Sequence, residues 1–170
     1  MTLGEIARVA RGVVTGNSKL FVMTRAKATE HGLEQFVKPV LGGSTAFPKN
    51  GIPVVRDGPD RHVLLVVSAA DVDRFPALRA YLGGVAPKVV SPRFAPIAAS
   101  YVGVPRFIAN PDGLIITNSL YAVTPRQSMS AKDVVALVER LNETTAKLSK
   151  PNATGAATRY TPRTLEALEI

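Results

Sequence analysis

The sequence predicts an α+β fold: antiparallel β-hairpins with several short helices and one long C-terminal helix. Three observations predict the class. Short β-rich runs alternate with turn chemistry, several brief stretches carry their own helix caps and stops, and only the stretch from Ser130 sustains a long helical apolar period.

The chain opens with an extended stretch marked by Ile6, Val9 and Val13-Val14. Thr15-Gly16-Asn17-Ser18 is turn chemistry and Leu20-Phe21-Val22-Met23 a second strand, so a hairpin is expected. Thr24 caps a short helix through Arg25–His31 that Gly32 closes. From Lys38 to Asp60 the density of Pro39, Gly42-Gly43, Pro48, Gly51, Pro53, Gly58 and Pro59 predicts a long irregular surface segment. Loops of that length are usually functional or mobile.

His62–Val67 is a β-rich run fit for a buried strand. Ser68-Ala69-Ala70-Asp71 opens a short helix, and Pro76 starts a second, Ala77–Leu82, that Gly83-Gly84 ends. Strands are expected at Phe94–Val102, Pro105–Ala109, Leu114–Thr117 and Leu120–Val123. Asn110-Pro111-Asp112-Gly113 has the residues of a type I turn closing a hairpin. In the long helix Val134, Leu137, Val138, Leu141 and Leu148 share one face, and Asp133 and Lys147 complement the dipole. Pro151 ends it. Residues 1–150 thus form the main domain, and residues 151–170 a connector with a short helix, begun by Thr161-Pro162, packed on it.

With 170 residues, 46% of them apolar, the chain can bury a core without a covalent or metal staple; by surface scaling about 70% of its unfolded surface is removed from water. Cysteine is absent, which excludes thiolate metal sites, thiol catalysis and disulfides. Two histidines, His31 and His62, are too few for a histidine-rich metal centre. The longest apolar runs, Val63–Val67 and Val134–Val138, fall far short of a membrane span, and Glu5, Arg8 and Arg11 interrupt any export signal. A cytoplasmic protein with no membrane partner is expected. Lys and Arg outnumber Asp and Glu by 21 to 13, a net charge of +8 spread over both halves, so polyanion binding is the first functional expectation.

No catalytic constellation emerges. Thr15-Gly16-Asn17-Ser18-Lys19 has the ingredients of a phosphate-binding loop in the wrong order, with a strand expected where a helix is needed. Asn110-Pro111 continues into Asp112-Gly113, with no aromatic to stack on an extruded base. Neither histidine has a triad pattern around it. What remains is a set of basic and polar side chains: Arg8, Arg11, Lys19, Lys49, Arg56, Arg61, Lys88, Arg93, Arg106, Asn118, Arg126 and Gln127. Arg and Lys neutralise phosphates, while Arg, Asn and Gln can also read base edges. Phe47 and Tyr101 could stack on a base, although an isolated aromatic is more often core.

The order of segments resembles the target-recognition domain of adenine-N6 DNA methyltransferases, including the single-chain restriction–modification enzymes called type IIG. The likeness runs from Arg11-Gly12-Val13-Val14-Thr15-Gly16, Asn17 and Phe21 through Phe36-Val37-Lys38-Pro39-Val40-Leu41 and Pro76-Ala77-Leu78-Arg79-Ala80-Tyr81-Leu82. It continues with Pro105-Arg106-Phe107-Ile108-Ala109-Asn110, Thr117-Asn118-Ser119-Leu120-Tyr121, Leu141-Asn142 and Tyr160-Thr161-Pro162 with Leu165. It covers essentially the whole chain. Ser18 stands where the family often has Asn, and Lys88–Arg93 replaces an aromatic-rich segment.

The resemblance implies a domain that grips double-stranded DNA and selects the sequence, while an N-terminal catalytic methyltransferase domain or subunit extrudes and methylates the adenine. No cofactor is expected in this chain, since neither an S-adenosylmethionine-binding turn nor an Asn-Pro-Pro-Tyr box is present; S-adenosylmethionine belongs to the catalytic part. The DNA-facing residues it implies are Arg11, Thr15, Asn17 and Lys19 of the first hairpin, with Lys88, Arg93, Arg106 and Asn118. Two alternatives stay open: a general RNA- or ribosome-associated basic protein, and a small-molecule enzyme with the Pro/Gly-rich segment as a lid.

Overall fold

The computed structural model describes residues 1–42, 47–48, 52–87, 94–148 and 159–170. Lys49, Lys88, Arg93 and Pro151 lie outside the described residues. Within them the predicted class holds: α+β, with two four-stranded sheets, short helices and one longer helix.

The first sheet has the order β1-β8-β5-β6, from Ala7–Arg11 (β1), Ile97–Ala99 (β5), Phe107–Ala109 (β6) and Tyr121–Pro125 (β8), all neighbours antiparallel. The second has the order β2-β4-β3-β7, from Val22–Met23 (β2), Val37–Leu41 (β3), Val63–Leu65 (β4) and Ile115–Ile116 (β7). Its β3–β7 pair is parallel, an exception to the antiparallel expectation.

Strand alternation assigns the cores. In β5, Ile97 and Ala99 pack under the long helix α6 (Ala131–Ala146), whereas Ala98 joins a cluster with Ile108, Leu114, Ile116, Leu41 and Ala122 on the opposite face. That cluster lies where the second sheet meets the first, because neighbouring Val40 and Ile115 point the other way. They point into a third cluster with Ala28 of α3 (Arg25–Glu30) and Leu78 and Leu82 of α5 (Pro76–Leu82).

The helix boundaries follow local chemistry. Thr24 accepts from the Lys27 N–H, Ser68 and Asp71 form a capping box on α4 (Ala69–Arg74), and Gly83 ends α5 in the left-handed conformation at φ 55°. Ser130 caps α6, which buries Val134, Leu137, Val138, Leu141 and Thr145. The helix α7 (Pro162–Glu166) packs against β1, and the Ile170 N–H reaches the Met1 carbonyl.

Three local expectations are corrected. The first hairpin does not exist: β1 pairs with β8 in one sheet and β2 with β4 in the other. Between them Asn17 caps a helical turn, α2 (Ser18–Phe21), by accepting from the Leu20 N–H at 3.2 Å. A helical turn therefore follows Thr15-Gly16-Asn17 where a strand was expected, but four residues build no phosphate-binding helix terminus.

The Asn110–Gly113 turn forms, with a Gly113 N–H to Asn110 carbonyl bond of 3.2 Å and φ 66° at Gly113. It joins no hairpin. Its flanking strands β6 and β7 belong to different sheets, and buried Asn110 bonds the Ala95 carbonyl and both backbone groups of Leu114. The segment 38–60 is less irregular than expected, since it begins inside β3 and Val54 bridges Ala109. Among the described residues no helix is long and apolar enough to cross a membrane.

Candidate nucleic-acid interface

The segment from Arg11 to Asn17 carries the chain from the first sheet to the second. Gly12 is required there by space: a Cβ on it would lie 2.0 Å from the Thr117 carbonyl oxygen. Close approach lets the two backbones bond, with Gly12 N–H to Leu120 O at 3.1 Å, Val13 N–H to Ile116 O at 2.7 Å, and Asn118 N–H to Val13 O at 2.9 Å. Two motifs a hundred residues apart in sequence thereby form one junction.

Hydroxyl groups stiffen it. Thr117 Oγ1 donates to the Leu41 carbonyl at 3.1 Å and lies 2.8 Å from Ser119 Oγ, which donates to the Gly42 carbonyl at 3.0 Å. The hydroxyls of buried Thr117 and exposed Ser119 are thus bonded to the body of the protein, and Asn118 between them is exposed. Half-buried Tyr101 donates through its hydroxyl to the Asn118 carbonyl at 3.3 Å and stacks on Tyr121 at 4.6 Å between ring centres. Burial pushes the Tyr121 phenol up, against the opposing charge of Arg11. Phe47 is core.

The expected site residues divide. Arg11 lies at the end of β1 on one side of this junction and Asn118 on the turn at its other side, and exposed Lys19 stands on α2. Thr15 is only 6% exposed, so its hydroxyl is withdrawn from the surface on which it was expected. The side-chain oxygen of Asn17 is occupied as a helix cap. Arg106 is exposed but held elsewhere, its Nη2 donating to the Pro48 carbonyl at 3.1 Å and its guanidinium 5.8 Å from the centre of the Phe47 ring.

Arg56 pairs with Asp112 at 2.8 Å, and Arg25 pairs with Asp57. Asp112 also accepts the Asp57 N–H, and with Arg56 this holds its carboxyl below the usual carboxylate range. These cations serve the fold. The sequence reading also missed Thr117 and Ser119 as supports; their alternation around Asn118 was the available signal.

Residues 1–82 match the family model described as type II methyltransferase M.Eco57I, C-terminal domain. The match covers just under half of the 170 residues and includes Gly12, α2 and the strands β1 to β4. No curated protein matches the chain. The likeness supports a methyltransferase C-terminal domain, which implies a catalytic domain as partner in the same or another chain.

Proposed function

We propose that this chain is the sequence-recognition domain of an adenine-N6 DNA methyltransferase. It holds duplex DNA so that a catalytic domain, carrying S-adenosylmethionine, receives one chosen adenine. The observation that carries the reading is the junction: a glycine-dependent crossing, of which Gly12 lies in the family-matched region and residues 116–120 beyond it, presents Asn118 on a braced turn at the end of β1 that bears Arg11.

An exposed carboxamide can bond adenine at N6 and N7, while arginine can bond guanine at O6 and N7. A rigid mount suits this work, because discrimination of about 1–3 kcal/mol per base pair depends on holding donor and acceptor in register. Base extrusion costs a few kcal/mol, and gripping the duplex on both sides of the target offsets that cost.

The test is binding by the chain alone. Fluorescence anisotropy should show duplex DNA bound in preference to structured RNA. If about five phosphates are neutralised, log affinity should fall with log salt at a slope of about −4 to −5. Lys19→Ala should flatten that slope by about 0.9. Tighter binding to structured RNA, or binding of S-adenosylmethionine by this chain, contradicts the proposal.

A further inference from the structure

The face of the first sheet that turns away from α6 is only partly covered by the second sheet. At its β1 edge it is left as an open trough of about 480 Å³ lined by Arg8, Ala10, Ala122, Thr124, Pro125 and Arg126. We propose that this trough seats a phosphodiester group of the DNA backbone between Arg8 and Arg126. The inference rests on the duplex-binding reading for its ligand and adds a site apart from the junction residues.

Register places the two arginines together. Arg8 lies directly opposite Thr124, and Arg126 follows two residues later on the same face. The Arg126 N–H donates to the Ile6 carbonyl at 2.8 Å, continuing the β1–β8 pairing past Pro125. Arg8 and Arg126 are therefore diagonal neighbours, at a Cα spacing of about 7–8 Å that long side chains readily span.

The floor between them is made of alanine, threonine and proline. Small side chains leave a depression, and α7, packed against β1 on the reverse face, keeps it stiff. Arg126 is pre-aimed, since its Nε donates to the Gly4 carbonyl at 2.9 Å; its terminal amino groups have no hydrogen bond among the described residues. The exposed side chain of Arg8 has no hydrogen bond or ion pair among the described residues. No acid lines the trough, and the carboxylate of nearby Glu5 is engaged by Thr2.

Two guanidiniums held side by side without a carboxylate repel each other, and one anion bound between them relieves that repulsion. The geometry also fits an extended ligand. From Arg8 to Gly12 the strand advances about 13 Å, so a backbone seated at Arg8 passes toward the Asn118 junction within a few base steps.

Two measurements on the full chain test this. In the first, inorganic phosphate is titrated and amide resonances are followed by NMR. Shifts should concentrate at Arg8, Ala10, Thr124 and Arg126 and disappear in Arg8→Gln; shifts spread over the whole surface, or kept in that variant, overturn the site. In the second, the salt slope of duplex DNA binding is compared among variants.

Arg8→Gln and Arg126→Gln should each flatten the slope by up to about 0.9. Arg140→Gln, on exposed α6 across the sheet, should leave it unchanged. Steep wild-type salt dependence with an unaltered slope in both trough variants overturns the backbone seat and leaves the duplex reading standing. Phosphate shifts at the trough with no duplex binding overturn DNA as the source and, with it, the duplex reading. Arg8→Gln breaks no side-chain hydrogen bond or ion pair among the described residues, so it reports even if Arg126→Gln unfolds.

Discussion

The side-chain amide of Asn142 closes a two-bond ring with the backbone of Phe107: Oδ1 accepts the Phe107 N–H at 2.8 Å and Nδ2 donates to its carbonyl at 2.9 Å. One residue of α6 thus completes the bonding of β6 at the edge of the first sheet. At the opposite edge Glu166 Oε1 accepts the Val9 N–H at 2.8 Å. Both edges of the sheet are blocked by side chains from C-terminal helices, which protects them from strand addition.

Asn142→Ala should cost about 2–3 kcal/mol, since it strips partners from two part-buried backbone groups. Urea unfolding measures this as a lower midpoint at unchanged slope. Asn142→Asp keeps the acceptor for the Phe107 N–H but faces the Phe107 carbonyl with a second oxygen, so it should also destabilise.

Glu166→Ala should uncover the Val9 N–H at a cost of about 1–2 kcal/mol and leave β1 open to a second strand. Analytical ultracentrifugation should then show concentration-dependent association absent from the wild type, with Glu166→Gln, which keeps an acceptor, close to wild type.

Gly12→Ala should be among the most harmful single-methyl changes in the chain. Its Cβ would meet backbone at 2.0 Å, where no side chain can move aside. A loss of about 3 kcal/mol, at the upper end of overpacking, is expected in thermal unfolding. Amide exchange at Asn118 should also lose protection, because its N–H bonds Val13. Gly58→Ala is the control, since nothing lies within 4 Å of its added carbon.

Stability should hold near neutral pH and fall in acid. Asp112 (held by the Asp57 N–H and Arg56), Asp71 (held by Ser68) and Glu5 (held by Thr2) all have lowered pKa values. Unfolded carboxylates titrate near pH 4, so the unfolded chain takes up protons first. The contribution is present above about pH 4 and is lost as pH falls through the lower folded values. Asp112→Asn should flatten this acid limb in a pH series of unfolding midpoints. Tyr121, raised by burial, acts at the other end, where its contribution is lost as pH rises past about 10.

The helices from α3 onward were legible because their signals are local, whereas the helical turns at Leu3–Ile6 and Ser18–Phe21 fell where extended chain was expected. Thr24, Ser68, Pro76, Gly83 and Ser130 each mark a boundary by chemistry within a turn of it, and the structure uses all five. Strand partners were not legible. Thr15–Ser18 bends the chain into a capped helix and Asn110–Gly113 is a genuine turn, but nothing local says whether such a reversal returns to the same sheet or leaves for another.

Pro39 concealed β3 for a related reason. The bonds from Val40 N–H to His62 O and Val66 N–H to Phe36 O set the even-numbered residues of β3 against β4. Pro39 faces the other way, one residue short of where β7 joins, so its missing N–H costs no ladder bond there. The site was legible only in part: charge and motif pointed to Arg11 and Asn118, but the joining of their two segments depends on Gly12 approaching Thr117.

The most direct test of the central claim is selection of duplexes by the chain from a randomised double-stranded library, with sequencing of the bound fraction. A short enriched motif containing adenine, weakened by Asn118→Ala, is the predicted result. Binding that retains every sequence equally would contradict it.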